Sequence, residues 1–327
     1  MRRTLLAAAV ALASLSVLPM AQAQTELRIS SAAPDVSPLS DAFRAIKARM
    51  EAKFPGAIKV SVHTGSSLFR QGTELPAMQR GNLEMATPVM PELETQVPEY
   101  GVLGAAYLFR DRDHMIKTFR SDIGKEFFSA VESRMGIVIL DTGYIGTRTV
   151  NLRSDKPIRV PSDLAGFKMR MPPGPAFQTI AQALGAVSVA MPATEMYLAL
   201  KTGAIDAHDN PTNMTRDWKL QEVTSQVVLT RHLVQPLFVA IAKPVFDKLT
   251  PAQQAELRAA TLEAIDIQIG KSAKDEIDAL ETFKTAKLKI VEPDVAAFRT
   301  AVRDQYKKSG ISDKWKPGLM ERVDAVR

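Results

Sequence analysis

The apolar positions of this chain switch repeatedly between two periods. Leu27 to Ser30 predicts a first strand, and Ser37-Pro38 supplies an N-cap followed by a proline at the first helical position. Phe43, Ile46, Met50 and Phe54 then recur at helical spacing until Pro55-Gly56 stops the helix. Beyond it Ile58, Val60 and Val62 alternate with Lys59 and Ser61, which is the period of a strand. Strand, helix, strand within so short a span is the unit of a mostly parallel sheet.

The same alternation continues. A helix is expected over Glu74 to Arg80, a short strand over Leu83 to Met85, an amphipathic helix over Ile123 to Arg134 and a buried strand over Ile137 to Leu140. A second set opens beyond Gly143, with a strand from Thr147 to Leu152 and a helical turn from Ser162. Phe167, Met169 and Met171 alternate with Lys168 and Arg170, and Pro172-Pro173-Gly174-Pro175 ends that strand abruptly. A helix to Leu184, a strand at Val187 to Ala190, a helix from Thr194 to Lys201 and a strand at Ala204 to Ala207 follow. Leu237 to Ala242 has the continuous apolar character of a central strand. Thr250-Pro251 then caps a helix reaching towards Lys287, with Leu257, Leu262, Ile265, Ile269, Ile277 and Leu280 among its apolar positions. Such a helix is long enough to brace two lobes. With no linker of biased composition, the pattern predicts an α/β fold of two lobes joined by chain crossovers.

The opening residues stand apart. Met1-Arg2-Arg3, an apolar run from Leu5 to about Leu18 and Ala21-Gln22-Ala23 make the basic, hydrophobic and small-x-small regions of a cleavable signal over residues 1–23. The apolar run is shorter than the ~20 residues of a spanning helix. The expected product is periplasmic. The chain has no cysteine, so disulfides, thiol catalysis, thiolate metal sites and a lipidated N-terminal cysteine are all excluded. Two of the +6 formal charges, Arg2 and Arg3, leave with the signal, so about +4 remains. The basic residues are scattered without interleaved aromatics, which argues against a nucleic-acid partner and allows an anionic small ligand.

Few residues then stand out as chemistry. Arg170 lies near the carboxyl end of a strand, the end at which open α/β sheets bind ligands. Its guanidinium matches a carboxylate, of a ligand or of an ion pair between lobes. Asp209-Asn210-Pro211 follows another strand. Asn210 suits either a polar ligand or an N-cap with Pro211 at the first helical position. Arg148, in Gly146-Thr147-Arg148, is a candidate second cation. His63, His114, His208 and His232 are too dispersed for a zinc site. His208 beside Asp209 is no dyad, because strand neighbours point to opposite faces. No nucleophile elbow, metalloprotease helix, phosphate loop or dinucleotide fingerprint is present.

Gly166-Phe167-Lys168-Met169-Arg170-Met171-Pro172 and the segment from Glu195-Met196-Tyr197-Leu198-Ala199-Leu200-Lys201 through Thr202-Gly203-Ala204-Ile205-Asp206-Ala207-His208-Asp209-Asn210-Pro211 carry a resemblance. With Gly146-Thr147-Arg148 and Gly81-Asn82-Leu83-Glu84-Met85 in support, the chain resembles the solute-binding subunits of tripartite ATP-independent periplasmic (TRAP) transporters, the DctP type. The likeness runs from about Leu27 to the C-terminus. It implies a type II-like periplasmic binding protein fold with crossover strands and a long helix spanning both lobes. Lobe I would comprise 24–145 and 236–275, lobe II 146–235 and 276–327. It implies a monomer without cofactor, metal or catalytic residue, which captures a small carboxylate such as a dicarboxylate or sugar acid and delivers it to membrane permease subunits. Arg170 would pair with the carboxylate and Asn210 would help hold it. Arg148, Gln71, Asp209 and the loop from Ala33 to Ser37 would complete the cleft. Where the family commonly has Gly-Gln-Glu before Asn-Pro this chain has Ala207-His208-Asp209, and Ala193 replaces an aromatic residue of some members, so the ligand is not to be copied from one relative. An ABC-type binding protein and a secreted hydrolase are the alternatives.

Overall fold

Thr25–Ser30 (β1) and Ile58–His63 (β2) lie parallel, joined by the helix Pro38–Lys53 (α1), so the first predicted unit forms as expected. Ser37 Oγ accepts from the Ser40 amide and caps α1, with Pro38 in its first turn. The computed structural model describes residues 24–327; the expected signal lies outside them. Five short strands follow the same logic around two long ones: Met85–Ala86 (β3), Ile137–Leu152 (β4), Lys168–Met171 (β5), Val187–Ala190 (β6), Ala207–Pro211 (β7), Gln226–Ala242 (β8) and Lys289–Val291 (β9). They form one mixed sheet in the order β2-β1-β3-β8-β4-β7-β5-β6, with β9 beside β8.

The long strands correct the sequence reading. Ile137–Leu140 and Thr147–Leu152 were expected as two strands separated near Gly143, and Leu237–Ala242 as a short one. The structure runs β4 straight through, for 16 residues, and β8 for 17. Each supplies the other's antiparallel partner along its length, which satisfies the backbone across the gap. The register slips at Ile139/Asp141, Tyr144/Gly146 and Arg148/Val150. One end of this ribbon carries β3, β1 and β2; the other carries β7, β5, β6 and β9.

Helices cover both halves. In the first lie Glu74–Gln79 (α2), Met90–Leu93 (α3), Arg112–Arg120 (α4) and Asp122–Met135 (α5). In the second lie Pro175–Ala183 (α6), Met196–Thr202 (α7) and Thr212–Asp217 (α8), with Lys243–Phe246 (α9) returning to the first. The expected bracing helix is Pro251–Thr285 (α10), 35 residues long and opened by a Thr250/Gln253 capping box. It packs on α1, β4 and α8, and Arg49 of α1 pairs with its Glu256 and Glu263. Val295–Ser309 (α11) rests on α6, whereas Leu319–Asp324 (α12) returns to the first half. There Lys316 and Arg322 pair with Glu126 of α5, and His114 of α4 meets the Val323 carbonyl at 2.9 Å. Residues 276–327, expected together in the second lobe, thus divide between the halves.

Candidate functional site

Between the halves, where the carboxyl ends of the short strands converge, lies a cavity of about 100 Å³. Ser31, Ala33, Ser37 and Gln71 approach from the first half, Arg148, Arg170, Asn210 and Trp218 from the second. Gln268 and Ser272 of α10 also reach it. Four of the expected ligand contacts besides Arg170 — Asn210, Arg148, Gln71 and Ala33 — therefore line one cavity, from its two sides. Asp209 does not line it. A larger trough of about 960 Å³ beside Arg153, Asp155 and Lys289 is shallow and open, and Lys289 there already faces Asp155.

Arg170 is the penultimate residue of β5, held between Val189 of β6 and His208 of β7. Its residue is 1% exposed. Nε donates to the Met191 carbonyl at 2.7 Å, and Nη2 donates to Gln71 Oε1 at 3.0 Å. Gln71 Oε1 also accepts from the Ala193 amide at 2.8 Å, so one side chain of the first half ties down two groups of the second. Among the described residues no carboxylate forms an ion pair with Arg170. Burial, reinforced by the nearby Arg148 charge, pushes its pKa down to about 9, with Asp209 and Glu195 opposing only in part. The guanidinium stays charged at neutral pH, dry and without a counterion, an arrangement that is costly until an anion arrives.

Arg148 differs, and this corrects the expectation of a second available cation. It is buried, and its Nε and Nη2 donate to the two oxygens of Asp209 at 2.6 and 2.7 Å. Phe177 lies beneath the guanidinium, 5.3 Å from its ring centre. Asp209 also takes His232 Nε2 at 3.2 Å. Burial alone would raise the Asp209 carboxyl, but the Arg148 charge and hydrogen bonds, with help from His232, outweigh it and hold the group well below the usual carboxylate range. Asp209 thus acts on the cavity through Arg148 rather than by touching it.

Asn210 is likewise relocated. The strand expected at Ala204 to Ala207 forms instead over Ala207–Pro211, because residues 207–211 pair with β4, Pro211 opposite Arg148. Asn210 is therefore a strand residue on the cavity wall and not an N-cap; α8 begins at Thr212. Its Nδ2 faces His208 Nδ1 at 3.1 Å. His208 and Asp209, neighbours in β7, do not pair with each other. Burial pushes the His208 pKa down to about 3, so the imidazole is neutral.

Sequence reasoning missed Phe177, Asn213, Trp218, Gln235 and Gln268 on the cavity wall. They come from α6, α8, the segment after it, β8 and α10, and no local motif marks them. Asn213 and Trp218 follow Asn210-Pro211 within eight positions, which is the one signal that could have pointed to two of them.

Comparison with known proteins matches residues 29–313 to the family model DctP, bacterial extracellular solute-binding protein, family 7. A solved TRAP periplasmic solute-binding protein from Roseobacter denitrificans, with bound 3-deoxy-D-manno-oct-2-ulosonic acid, is 34% identical and superimposes with a TM-score of 0.89, covering 93% of this chain and 100% of that one. One from Xanthobacter autotrophicus, with bound β-D-galacturonate, is 26% identical with a TM-score of 0.84, covering 92% of this chain and 100% of that one. The sialic acid-binding periplasmic protein SiaP of Vibrio cholerae is 25% identical over 299 residues, 91% of this chain and 92% of its own length.

Proposed function

Because the chain belongs to the bacterial extracellular solute-binding proteins of family 7, we propose that Arg170 is the anchor on which it captures a small organic carboxylate. The protein is a periplasmic solute-binding component of a TRAP transporter, working with membrane permease subunits. That membership displaces the ABC-type reading. Capture without chemical change is our reading in place of the hydrolase. The observation that carries the proposal is the buried Arg170 guanidinium, hydrogen-bonded only to neutral oxygens. A carboxylate entering from the cleft supplies the missing charge and two acceptors for the guanidinium fork. Gln71 and Asn210 flank it, and Arg148, steadied by Asp209, adds its remaining N–H and its apolar stacking on Phe177.

The relatives named above with a sugar acid or sialic acid support this ligand class. In our reading lobe I comprises 24–145 and 236–275, and lobe II begins at 146–235 on the far side of the register slip at Tyr144/Gly146. Closure of the lobes excludes water and strengthens the pairing. Thermal unfolding against a panel of organic acids tests the proposal. A true ligand at a hundred times its Kd stabilises the protein by ~2.7 kcal/mol. Arg170→Ala is expected to weaken that ligand about 100-fold, while its ligand-free form unfolds no earlier than wild type, because an uncompensated buried charge has been removed. Undiminished affinity in Arg170→Ala would refute the anchor.

A further inference from the structure

Helix α11 carries two rows of side chains next to each other. Phe298, Val302 and Tyr306 recur every fourth residue and are buried; Arg299, Arg303 and Lys307 follow each of them by one position and are exposed. Residues four apart share a helix face, so an apolar row and a basic row run together along α11. Beside them, between α11, residues 105–110 and the segment leading into α12, lies a groove of about 520 Å³ that shares no residue with the interlobe cavity. Leu108, Val302 and Tyr306 are its buried lining, and Tyr107, Trp315 and Met320 are the apolar side chains that solvent reaches.

Hydrogen bonds hold these walls in place. The Tyr306 hydroxyl accepts from the Ala106 amide at 2.8 Å, and Trp315 stands edge-on to the Tyr306 ring. Tyr107 sits at φ +61°, a costly conformation for an aromatic residue. Its amide donates to the His232 carbonyl at 2.8 Å and its hydroxyl to the Thr230 carbonyl at 3.0 Å, which fix it there. The aromatic surface is therefore ordered in advance, which lowers the cost of binding. The rim is cationic. Arg110 is committed to the carbonyls of Asp324 and Val326, and Arg303 lies 3.6 Å from its neighbour Asp304. Arg299 stacks on the Tyr107 ring, 5.0 Å from its centre, and among the described residues neither it nor Lys307 pairs with a carboxylate. Asp324 is the one acid in the lining.

A concavity of ligand size, apolar within and edged by unmatched cations, suits an apolar body with one negative group. We propose that this groove is a second binding site, separate from the interlobe cavity, for a small amphiphilic anion. The ligand is an aromatic or aliphatic carboxylate or sulfonate. Its apolar body lies against Val302, Tyr306 and Trp315, and its charge sits among Arg299, Arg303 and Lys307. A neutral apolar molecule leaves the cations unanswered, and a small hydrophilic acid has no apolar surface to bury here.

Titration of the folded protein with 1-anilinonaphthalene-8-sulfonate, followed by fluorescence, tests this. One saturable site is expected, retained in Arg170→Ala. Arg299→Gln with Lys307→Gln removes the free cations, and Met320→Glu puts a negative charge on an exposed wall position. Each variant, checked for wild-type circular dichroism, should weaken the probe about three- to tenfold. On the wild-type protein, displacement by dodecanoate or 2-naphthoate, but not by dodecanol or 2-naphthol, supports the anion and tells an aliphatic ligand from an aromatic one. Absence of a saturable site, or equal binding by both rim variants, would overturn the proposal. So would loss of the probe in Arg170→Ala, which places it in the cleft, and so would displacement by neither carboxylate or equally by the neutral alcohols.

Discussion

Arg148 and Arg170 stand on the same wall with the same chemistry, yet only Arg148 has an acid beside it. Asp209 is thus the residue that sets the charge of the cavity. Asp209→Asn leaves Arg148 buried and unpaired, and removing one partner of such a pair costs about 3–5 kcal/mol. The same variant gives the cavity a second available cation, so its affinity for glucarate relative to gluconate should rise. Denaturant unfolding and calorimetry on one preparation check both outcomes. His208 contributes a pH dependence of definite sign. Its folded pKa, pushed down to about 3 by burial, lies below the ordinary value of 6.5, so the unfolded chain binds the proton first. Stability therefore falls as pH drops from about 6.5 towards 3, and the depressed Asp209 carboxyl adds a further loss as pH falls through the acid range below its ordinary 3.8. A melting temperature that stays flat between pH 7 and 4, or an unaltered slope in His208→Gln, would contradict this.

The β4–β8 ribbon is the element that carries the chain between the halves, and its irregularities mark where it can bend. Gly146 sits at the Tyr144/Gly146 slip with φ +141°. A Cβ there would come within 2.5 Å of Pro211 Cβ and 2.9 Å of Asn213 Oδ1. Gly146→Ala combines a forbidden backbone conformation with a clash against the residue that follows Asn210. Urea unfolding should show a loss of about 2 kcal/mol or more, with weaker carboxylate binding because Asn210 and Pro211 must move. Helix α10 braces the same point. Gln268 donates to the Tyr144 carbonyl at 2.6 Å and accepts from its amide at 3.3 Å, and Glu276 accepts from the Tyr144 hydroxyl and the Thr147 amide. These bonds take over where the ribbon slips, so the bend is supported from outside the sheet.

At the scale of the whole molecule, both halves share one sheet, one bracing helix and a C-terminal stretch that returns to the first half. Gln71 is the side chain that already links the walls, through Arg170 and the Ala193 amide. Opening the cleft would break those bonds, and on the proposed role of Arg170 a ligand carboxylate would favour the closed form by neutralising it. Small-angle scattering should show a smaller radius of gyration with ligand than without, and Arg170→Ala should lose the difference. An unchanged radius in a ligand-saturated wild type would exclude lobe closure as the response to binding.

The sequence by itself determined the local elements and the family. The first strand–helix–strand unit, the cap at Thr250 and the length of α10 depend on neighbours within a few residues, and Arg170 was visible because a strand end and a proline run adjoin it. What tertiary structure alone decided is which groups meet. Two short strands became one 16-residue β4 because β8, about ninety residues away, pairs along it. Pairing of β7 with the other edge of β4 drew Asn210 out of a cap and into a strand. It set Asp209 against Arg148 and left Arg170 as the cation without an acid. A charge or a hydrogen bond is an encounter between distant parts of the chain, and only the fold brings those parts together.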